Sequence, residues 1–222
     1  MPKILIVAAT KQEIAPLLNE FSVSVAAEEG FFTSDVYNKL SVLITGVGMV
    51  NTAYYIGKYS HQVYDYVINA GICGAFNKQL QIGEVVAVIK DTLSEMGAED
   101  GAEFITYNNL NLGGSNLYQN QTLIDNDLIK NLKKVSGITV NKVHGNDESI
   151  KKTLLLYNSD VESMEGAAFF RSCGKWSRNY YQFRAVSNYV EKRNKNKWNI
   201  PLAINNLNIL LITFINNLYQ TK

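Results

Sequence analysis

Short apolar runs rich in β-branched residues alternate along the chain with segments whose apolar residues recur at helical spacing. The first run, ILIVAA at residues 4–9, has no polar interruption, which predicts a fully buried strand. A long polar passage, residues 94–121, has no predicted element. Further strands are predicted within residues 35–46, 64–71, 83–91, 137–145, 160–164 and 181–189, and helices at about residues 11–20, 51–61 and 148–157, from residue 165 and from Pro201.

This alternation predicts the fold class, because strands that alternate with helices pair into a sheet covered by helices. No internal repeat or low-complexity linker divides the 222 residues, and a chain of that length buries a sizeable core. We therefore predict one α/β domain, residues 1–222, with a mixed central β-sheet flanked by helices.

The carboxyl ends of the predicted strands are the expected ligand site, because ligands of such sheets bind there. Five of these ends have glycine or polar residues directly after an apolar run: AATKQEI, TGVGMVN, NAGICGAF, VESMEG and RAVSNYVEKRN. Candidate functional residues are therefore concentrated in these five segments.

Composition and charge exclude several classes of function. Lys and Arg number 21 against 20 Asp and Glu, and no basic stripe occurs, so nucleic acid is not an expected partner. Cys73 and Cys173 are too few for a disulfide framework and lack metal-ligand spacing to His61 and His144. Both cysteines are expected to be small buried side chains in a reducing compartment, and no metal site is expected.

Neither end of the chain predicts a membrane segment. The apolar run at the N-terminus spans residues 4–10 at most before Lys11, which is too short for a signal peptide. Apolar residues 209–219 are interrupted by asparagines and fall short of the ~20 residues of a membrane span. A cytoplasmic protein that does not contact a membrane is expected.

The segment VESMEGAAFF, residues 161–170, places two carboxylates among apolar residues. Carboxylates are rarely buried without a partner, so Glu162 and Glu165 need one. Glu165 begins a predicted helix, whose dipole favours an acid at that position. From the residues alone, helix capping is therefore one explanation of Glu165, and a functional partner is the other.

Five segments together resemble the nucleoside phosphorylase and methylthioadenosine nucleosidase superfamily. They are ILIVAATKQEI, LITGVGMVNTA, VINAGICGAF, VESMEGAA and RAVSNYV, and their order and approximate spacing agree over nearly the whole chain. Within that superfamily, SEMGAEDG, ESMEGAA and RAVSNYVEKRNKNKWNIPLAI are similar to the futalosine hydrolases. The resemblance implies a nucleoside phosphorylase-like fold, no metal or organic cofactor, and a homo-oligomer with SEMGAEDG near a subunit contact.

The resemblance also implies a reaction: hydrolysis of the N-glycosidic bond of futalosine, which releases hypoxanthine and dehypoxanthine futalosine in menaquinone biosynthesis. Two alternatives stay open. One is a purine nucleosidase or phosphorylase acting on ordinary purine nucleosides, including the methylthioadenosine type, and the other is a catalytically silent nucleoside-binding relative. Phosphorylases need arginines around phosphate, and Asn69 stands where hexameric phosphorylases usually have Arg, which favours the hydrolase.

Three residues are implied to be catalytic. Glu165 would accept hydrogen bonds from the ribose hydroxyls and stabilise a cationic, oxocarbenium-like transition state. Glu13 would orient and deprotonate the attacking water, although an acid after the first strand also fits surface capping. Asn188 stands where adenosine-type nucleosidases have Asp. It would accept from a protonated N7 and donate to O6 of a 6-oxopurine, although loop capping and adenine binding are alternatives.

Substrate contacts are expected at the same strand ends. Glycine lets the backbone approach a ligand, which the resemblance implies for Gly46, Gly48, Gly71 and Gly74, although turn geometry would explain each of them. Ile72 stands where many relatives have a ligand-contacting serine, so a backbone role is expected there. The remaining expected contacts are Cys73, Met164 and Arg193.

Arg193 lies in the basic run 192–197. Its guanidinium suits the carboxylate of the aryl ketone tail that futalosine has beyond the ribose 5′ carbon, and an ordinary solvated loop is the alternative. Related nucleosidases usually have a carboxylate directly before the Met, where this chain has Ser163, so Glu162 is expected to be structural or to support another site residue. No aromatic residue is assigned to stack on the purine, because VHGNDESI departs from the nucleosidase pattern where a Phe is expected.

Overall fold

The structure, a computed structural model, describes residues 1–120, 126–173 and 179–220, and for residues 25–28 the backbone alone. The predicted alternation of strands and helices is confirmed. The helices of the described residues are α1 (Ala15–Glu20), α2 (Met49–Lys58), α3 (Asp127–Lys130), α4 (Asp147–Tyr157), α5 (Gly166–Cys173) and α6 (Ile200–Gln220). The strands are β1 (Ile4–Ala8), β2 (Val23–Glu28), β3 (Phe31–Ser34), β4 (Leu40–Ile44), β5 (Tyr66–Ala75), β6 (Val85–Leu93), β7 (Gly97–Asp100), β8 (Glu103–Thr106), β9 (Leu117–Gln119), β10 (Lys134–Thr139), β11 (Val161–Ser163) and β12 (Asn179–Tyr189).

The central sheet is mixed, as predicted. Its strands follow the order β11-β10-β6-β12-β5-β1-β4-β3-β2. Strand β5 pairs in parallel with β1 and β12, whereas β6 is antiparallel to β12 and parallel to β10. Strand β11 pairs with both β10 and β5, which closes β5, β12, β6, β10 and β11 into a ring. The closure brings the ends of β5, β11 and β12 together.

Alternate residues of the buried strands face two hydrophobic clusters. In β1, Ile4 and Ile6 belong to the cluster that contains the buried residues of α1 and α6. Leu5 and Val7 belong to the cluster that contains those of α2 and α5. Helices therefore cover both faces of the sheet, which confirms the predicted fold class.

Several regions differ from the sequence-based prediction. Strand β10 ends at Thr139, although a strand was predicted within residues 137–145. Strands β2 and β3 form an antiparallel hairpin that turns at Gly30, where φ is 73°, a value that glycine tolerates. The polar passage after β6 is structured, because β7 and β8 form a second hairpin and β9 pairs with β6. Strand β7 is largely exposed, β8 is mostly half-buried, and each has only four residues, so neither shows the longer apolar run from which a strand is predicted.

The C-terminal helix is longer than predicted. Within the 26-residue stretch 195–220, 18 consecutive residues have a mean hydropathy of 1.4, so by length and composition the stretch is able to cross a membrane. The expectation of a segment too short for a span is therefore wrong. A core helix passes the same test, and α6 packs Leu207, Leu211 and Phe214 into the core. Its Asn208 is buried as well, accepting from the Leu17 N–H at 3.0 Å and donating to the Glu13 carbonyl at 2.9 Å.

Candidate active site

A cavity of about 400 Å³ lies at the carboxyl ends of β1, β5, β11 and β12. The predicted site residues that line it come from four separate strand ends and from the loop after β12. They are Glu13, Ile72, Cys73, Gly74, Met164, Glu165, Asn188 and Arg193. A larger depression of about 780 Å³ lies beside β9 and α5, and Arg171 is the charged residue in its described lining. The smaller cavity is the candidate site, because the acidic and amide groups meet there.

Glu13 lies just after β1, in a 3-10 turn (Gln12–Ile14) that leads into α1. Its Oε2 accepts from the Thr10 N–H and Oγ1, both at 3.0 Å, which is the capping box of the sequence TKQE. Its Oε1 accepts from the Ile72 N–H at 3.2 Å. Burial raises the pKa of Glu13 above its ordinary value of 4.5, and the charge of Arg184 opposes that shift. Glu13 thus makes the capping contacts that the sequence allowed, but its carboxylate is buried and borders the cavity.

Glu165 bonds to groups outside the helix that it precedes. Its Oε1 accepts from the Gly48 N–H at 3.1 Å, at the start of α2, and its Oε2 accepts from Arg184 Nη1 at 3.3 Å. The side chain is 7% exposed. A carboxylate at a helix N-terminus is stabilised by the helix dipole, and here the helix is α2 rather than α5. Glu165 therefore joins the ends of two distant segments at the cavity.

Arg184 is the site residue that was missed in the sequence. It lies in the middle of β12 and is 1% exposed, paired with Glu165 and donating through Nη2 to Asn69 Oδ1. A buried charge needs such a partner, because its desolvation is costly. A single arginine inside the apolar run YYQFRAVSNY was the available signal.

Two of the predicted glycines have clear structural causes. A Cβ on Gly71 would collide with Arg184 Nη1 and lie 2.9 Å from Glu13 Oε1, so only glycine leaves room for both side chains. Gly48 has a φ of 100°, which disfavours any other residue, and its N–H is the one that Glu165 accepts. Gly46 also has a positive φ, of 80°. These glycines position the acidic side chains as well as the backbone.

Another buried carboxylate, Asp91 of β6, lies under the start of α5. It accepts from Thr139 Oγ1 at 2.8 Å and from Gln182 Nε2 at 2.9 Å, and burial raises its pKa to about 6. A Cβ on Gly166 would collide with Asp91 and Gln182, which explains the glycine directly after Glu165. Sequence reasoning missed this group, because a single acid near the end of a strand is common.

Asn188 has each of its polar atoms bonded once within the protein. Its Oδ1 accepts from Ser187 Oγ at 2.8 Å, and its Nδ2 donates to the Tyr189 carbonyl at 3.0 Å. The amide oxygen has a second lone pair and the amide nitrogen a second hydrogen. One acceptor and one donor therefore remain for a ligand in the cavity.

Two other candidates have environments that limit their chemistry. Cys73 is a buried free thiol, and desolvation raises its pKa to about 12. The thiolate is the nucleophilic form, so Cys73 is a packing residue of the cavity wall. Arg193 lies with its guanidinium 4.9 Å from the centre of the Trp198 ring, and both residues line the cavity.

Glu162 and His144 form a bonded pair at the cavity wall. Glu162 accepts from the His144 backbone N–H at 3.1 Å and lies 2.6 Å from His144 Nδ1. The other ring nitrogen of His144 lies 2.8 Å from Thr153 Oγ1. Within the described residues, no group of three or more His, Cys, Asp or Glu is arranged to hold a metal ion. Glu162, the first carboxylate of VESMEG, thus has a protein partner that the sequence did not reveal.

Comparison with known proteins places the chain in a family. A family profile described as phosphorylase superfamily matches residues 3–216. The chain is 28% identical to the futalosine hydrolase of Thermus thermophilus over 172 residues, which cover 74% of this chain and 76% of that protein.

Solved structures share the fold. The native structure of futalosine hydrolase of Helicobacter pylori strain 26695 is similar with a TM-score of 0.81 and 16% identity, covering 96% of this chain and 97% of that one. The 5′-methylthioadenosine/S-adenosylhomocysteine nucleosidase of Neisseria meningitidis, in complex with methylthio-immucillin-A, has a TM-score of 0.76 and 18% identity, covering 96% and 98%. Because the family profile spans nearly its whole length, the chain belongs to the phosphorylase superfamily.

Proposed function

We propose that this protein is a futalosine hydrolase. It cleaves the N-glycosidic bond of futalosine with water and releases hypoxanthine and dehypoxanthine futalosine, a step of menaquinone biosynthesis in the cytoplasm. The observation that carries the proposal is a cavity lined by Glu13, Glu165 and Asn188, with Glu165 paired to the buried Arg184. The name of the Thermus thermophilus relative supports the choice of substrate.

Glu165 binds the ribose and stabilises the charge that develops on it. The Arg184 guanidinium and the Gly48 N–H hold its carboxylate in one position. Each carboxylate oxygen has a further lone pair, which accepts from a ribose hydroxyl. As the C1′–N9 bond breaks, positive charge develops on the sugar, and a fixed anion nearby stabilises it.

Glu13 serves the water. The carboxylate takes a proton from the water as the water oxygen bonds to C1′, and the electrons of the C1′–N9 bond leave with the base. A general base works best when its pKa approaches the working pH, and burial shifts the pKa of Glu13 in that direction. The positive charge of Arg184 lowers the pKa of Glu13, and the negative charge of Glu165 raises it.

The surroundings of Arg184 favour water over phosphate as the nucleophile. Its Nη1 bonds to Glu165 and its Nη2 to Asn69, and Asn69 also donates to the Val7 carbonyl at 3.1 Å. A phosphate site needs guanidinium donors aimed at the anion. Arg184 is directed instead to partners within the protein, so we assign hydrolysis.

Arg193 is proposed to hold the carboxylate of the futalosine tail. It lies on the loop after β12, at the cavity edge, where its guanidinium packs on Trp198. A guanidinium held by an aromatic ring offers a bidentate contact to a carboxylate.

The decisive experiment is an assay of hypoxanthine release from futalosine and from inosine, each with and without phosphate. We expect futalosine to be cleaved in preference to inosine, at a rate independent of phosphate. Phosphate-dependent cleavage would identify a phosphorylase, and preference for inosine or methylthioadenosine would identify an ordinary purine nucleosidase. Nucleoside binding without turnover would identify a silent relative.

We also propose a homo-oligomer, with a neighbouring subunit beside the cavity mouth. Val50 and Tyr54 of α2 are exposed apolar side chains, and the exposed Val47, which precedes α2, lines the cavity. Size-exclusion chromatography with light scattering at micromolar concentration is expected to give a mass of at least two chains. The mass of one chain would contradict the proposal.

Glu165→Gln is expected to weaken catalysis, because glutamine lacks the charge that stabilises the transition state. We expect kcat/KM for futalosine to fall roughly 10²-fold, the size typical of losing one group aimed at developing charge. Steady-state kinetics together with thermal unfolding tests this. A lower melting temperature with unchanged kcat/KM would show that Glu165 is structural.

A further inference from the structure

The sheet register places Glu162 beside Asn188. Glu162 of β11 and Asn188 of β12 are both register partners of Gly74 in β5, one on each side of it. A Cβ built on Gly74 would lie 3.4 Å from Asn188 Nδ2 and 3.5 Å from Glu162 Cγ. A ligand above Gly74 therefore meets an amide on one side and a carboxylate on the other.

The Glu162 carboxylate is held in place and keeps free acceptor sites. His144 donates to one oxygen through its backbone N–H and approaches the other through Nδ1. The other ring nitrogen, Nε2, lies 2.8 Å from Thr153 Oγ1, and in the neutral tautomer that has its hydrogen on Nδ1 it accepts from that hydroxyl. A carboxylate has about four acceptor sites, and His144 uses two of them. Glu162 lines the cavity, so a ligand donor has access to the rest.

An acceptor such as the Glu162 carboxylate distinguishes two classes of purine by whether N1 has a hydrogen. A 6-oxopurine has a hydrogen on N1 and donates there, whereas a 6-aminopurine has a lone pair on N1 and accepts. An ionised carboxylate only accepts. Asn188 keeps one acceptor and one donor for the base, which suit N7 and O6, so recognition of N1 needs a second residue.

We infer that Glu162, oriented by His144, accepts the N1–H of the purine base and selects 6-oxopurines over 6-aminopurines. The inference rests on the proposed function, because it takes the base to lie between Glu162 and Asn188. With adenine, the carboxylate of Glu162 would face the N1 lone pair, which places two acceptors against each other. Such mismatches at buried polar groups discriminate strongly. Specificity for hypoxanthine is then set mainly by Glu162, with Asn188 reading O6 and N7.

Glu162→Gln tests this assignment. Glutamine has nearly the same shape, and its amide hydrogens are accommodated if His144 moves its hydrogen from Nδ1 to Nε2, because Thr153 Oγ1 accepts as well as donates. The remaining amide hydrogen then faces the base and suits adenine. We expect the ratio of inhibition constants for adenine and hypoxanthine to shift roughly 10- to 100-fold toward adenine, as for the loss of a hydrogen bond to a charged group.

The matched control is Glu95→Gln. The exposed carboxylate of Glu95 accepts from the backbone N–H and from the side-chain amide of Asn141, which lies in the same loop as His144. Glu95 is outside the described cavity lining. We expect the control to leave the adenine-to-hypoxanthine ratio unchanged. An equal ratio in wild type and Glu162→Gln would overturn the inference. If that variant fails to fold, equal affinity of the wild type for hypoxanthine and 1-methylhypoxanthine, which lacks the N1–H, would overturn it as well.

The two proposals fail in different ways. Absence of hypoxanthine release from futalosine by the wild type would contradict the proposed function. Release of hypoxanthine with no change of base preference in Glu162→Gln would contradict only the role of Glu162.

Discussion

Glutamine in place of Glu13 is expected to lower kcat on futalosine by about 10²-fold or more while substrate still binds. The change removes the base but preserves the local fold, because glutamine also fits the third position of a capping box with Thr10. The side-chain oxygen that remains is able to accept both bonds from Thr10, whereas the bond from the Ile72 N–H is lost because the amide nitrogen replaces its acceptor. Single-turnover kinetics and substrate affinity, measured on the same preparation, separate the two effects.

The pH profile gives an independent test of Glu13. Its pKa is raised above 4.5 mainly by desolvation, so the active, ionised form is lost as the pH falls through that raised value. Wild-type kcat/KM should therefore decline on the acid side at a pH above 4.5, and this decline should be missing in Glu13→Gln. Glu20→Gln, at the exposed end of α1, is the control and is expected to keep the wild-type profile. Wild-type turnover in Glu13→Gln would remove Glu13 from the mechanism.

The sequence predicted the elements that depend on local pattern. Buried strands such as β1 have uninterrupted apolar runs, and their order along the chain together with helical periodicity was enough to predict a mixed α/β sheet. Hairpins such as β7–β8 were missed because each strand has only four residues and none of them is buried, so burial leaves no pattern in them. The ring closure through β11 also has no local signature, because a three-residue strand that pairs on both sides depends on distant partners.

The candidate site was predictable at the strand ends and unpredictable where distant side chains pair. Glu13, Glu165 and Asn188 follow apolar runs, so strand-end logic and resemblance both reach them. The partner of Glu165 is Arg184, and Arg184 also bonds to Asn69, which is 115 positions away in sequence. From the sequence, His144 was considered only as a metal ligand together with the cysteines and as a neighbour of Cys73. Its pairing with Glu162 depends on how the loop after β10 folds over β11.

Aspartate in place of Asn188 is expected to reverse the base preference. Asn188 Nδ2 donates to the Tyr189 carbonyl, and an aspartate oxygen at that position would face the carbonyl oxygen, which favours a protonated carboxyl or a turned side chain. An acid at this position protonates N7 of an aminopurine, but when ionised it faces the electron-rich O6 of hypoxanthine. We therefore expect Asn188→Asp to lose activity on futalosine and to gain relative activity on its 6-amino analogue, with a shift of roughly 10²–10⁴ in relative kcat/KM.

The measurement is the ratio of kcat/KM for futalosine and its 6-amino analogue in wild type and in Asn188→Asp. Asn199→Asp is the matched control. Asn199 is exposed and caps the start of α6 by accepting from the Leu202 N–H at 3.1 Å, and aspartate serves as well in that role. The same amide-to-acid change outside the described cavity lining should leave the ratio unchanged. A ratio that does not move toward the amino substrate in Asn188→Asp would show that Asn188 does not read the base. Discrimination at the N1 edge by Glu162 would then remain as the structural basis for choosing hypoxanthine.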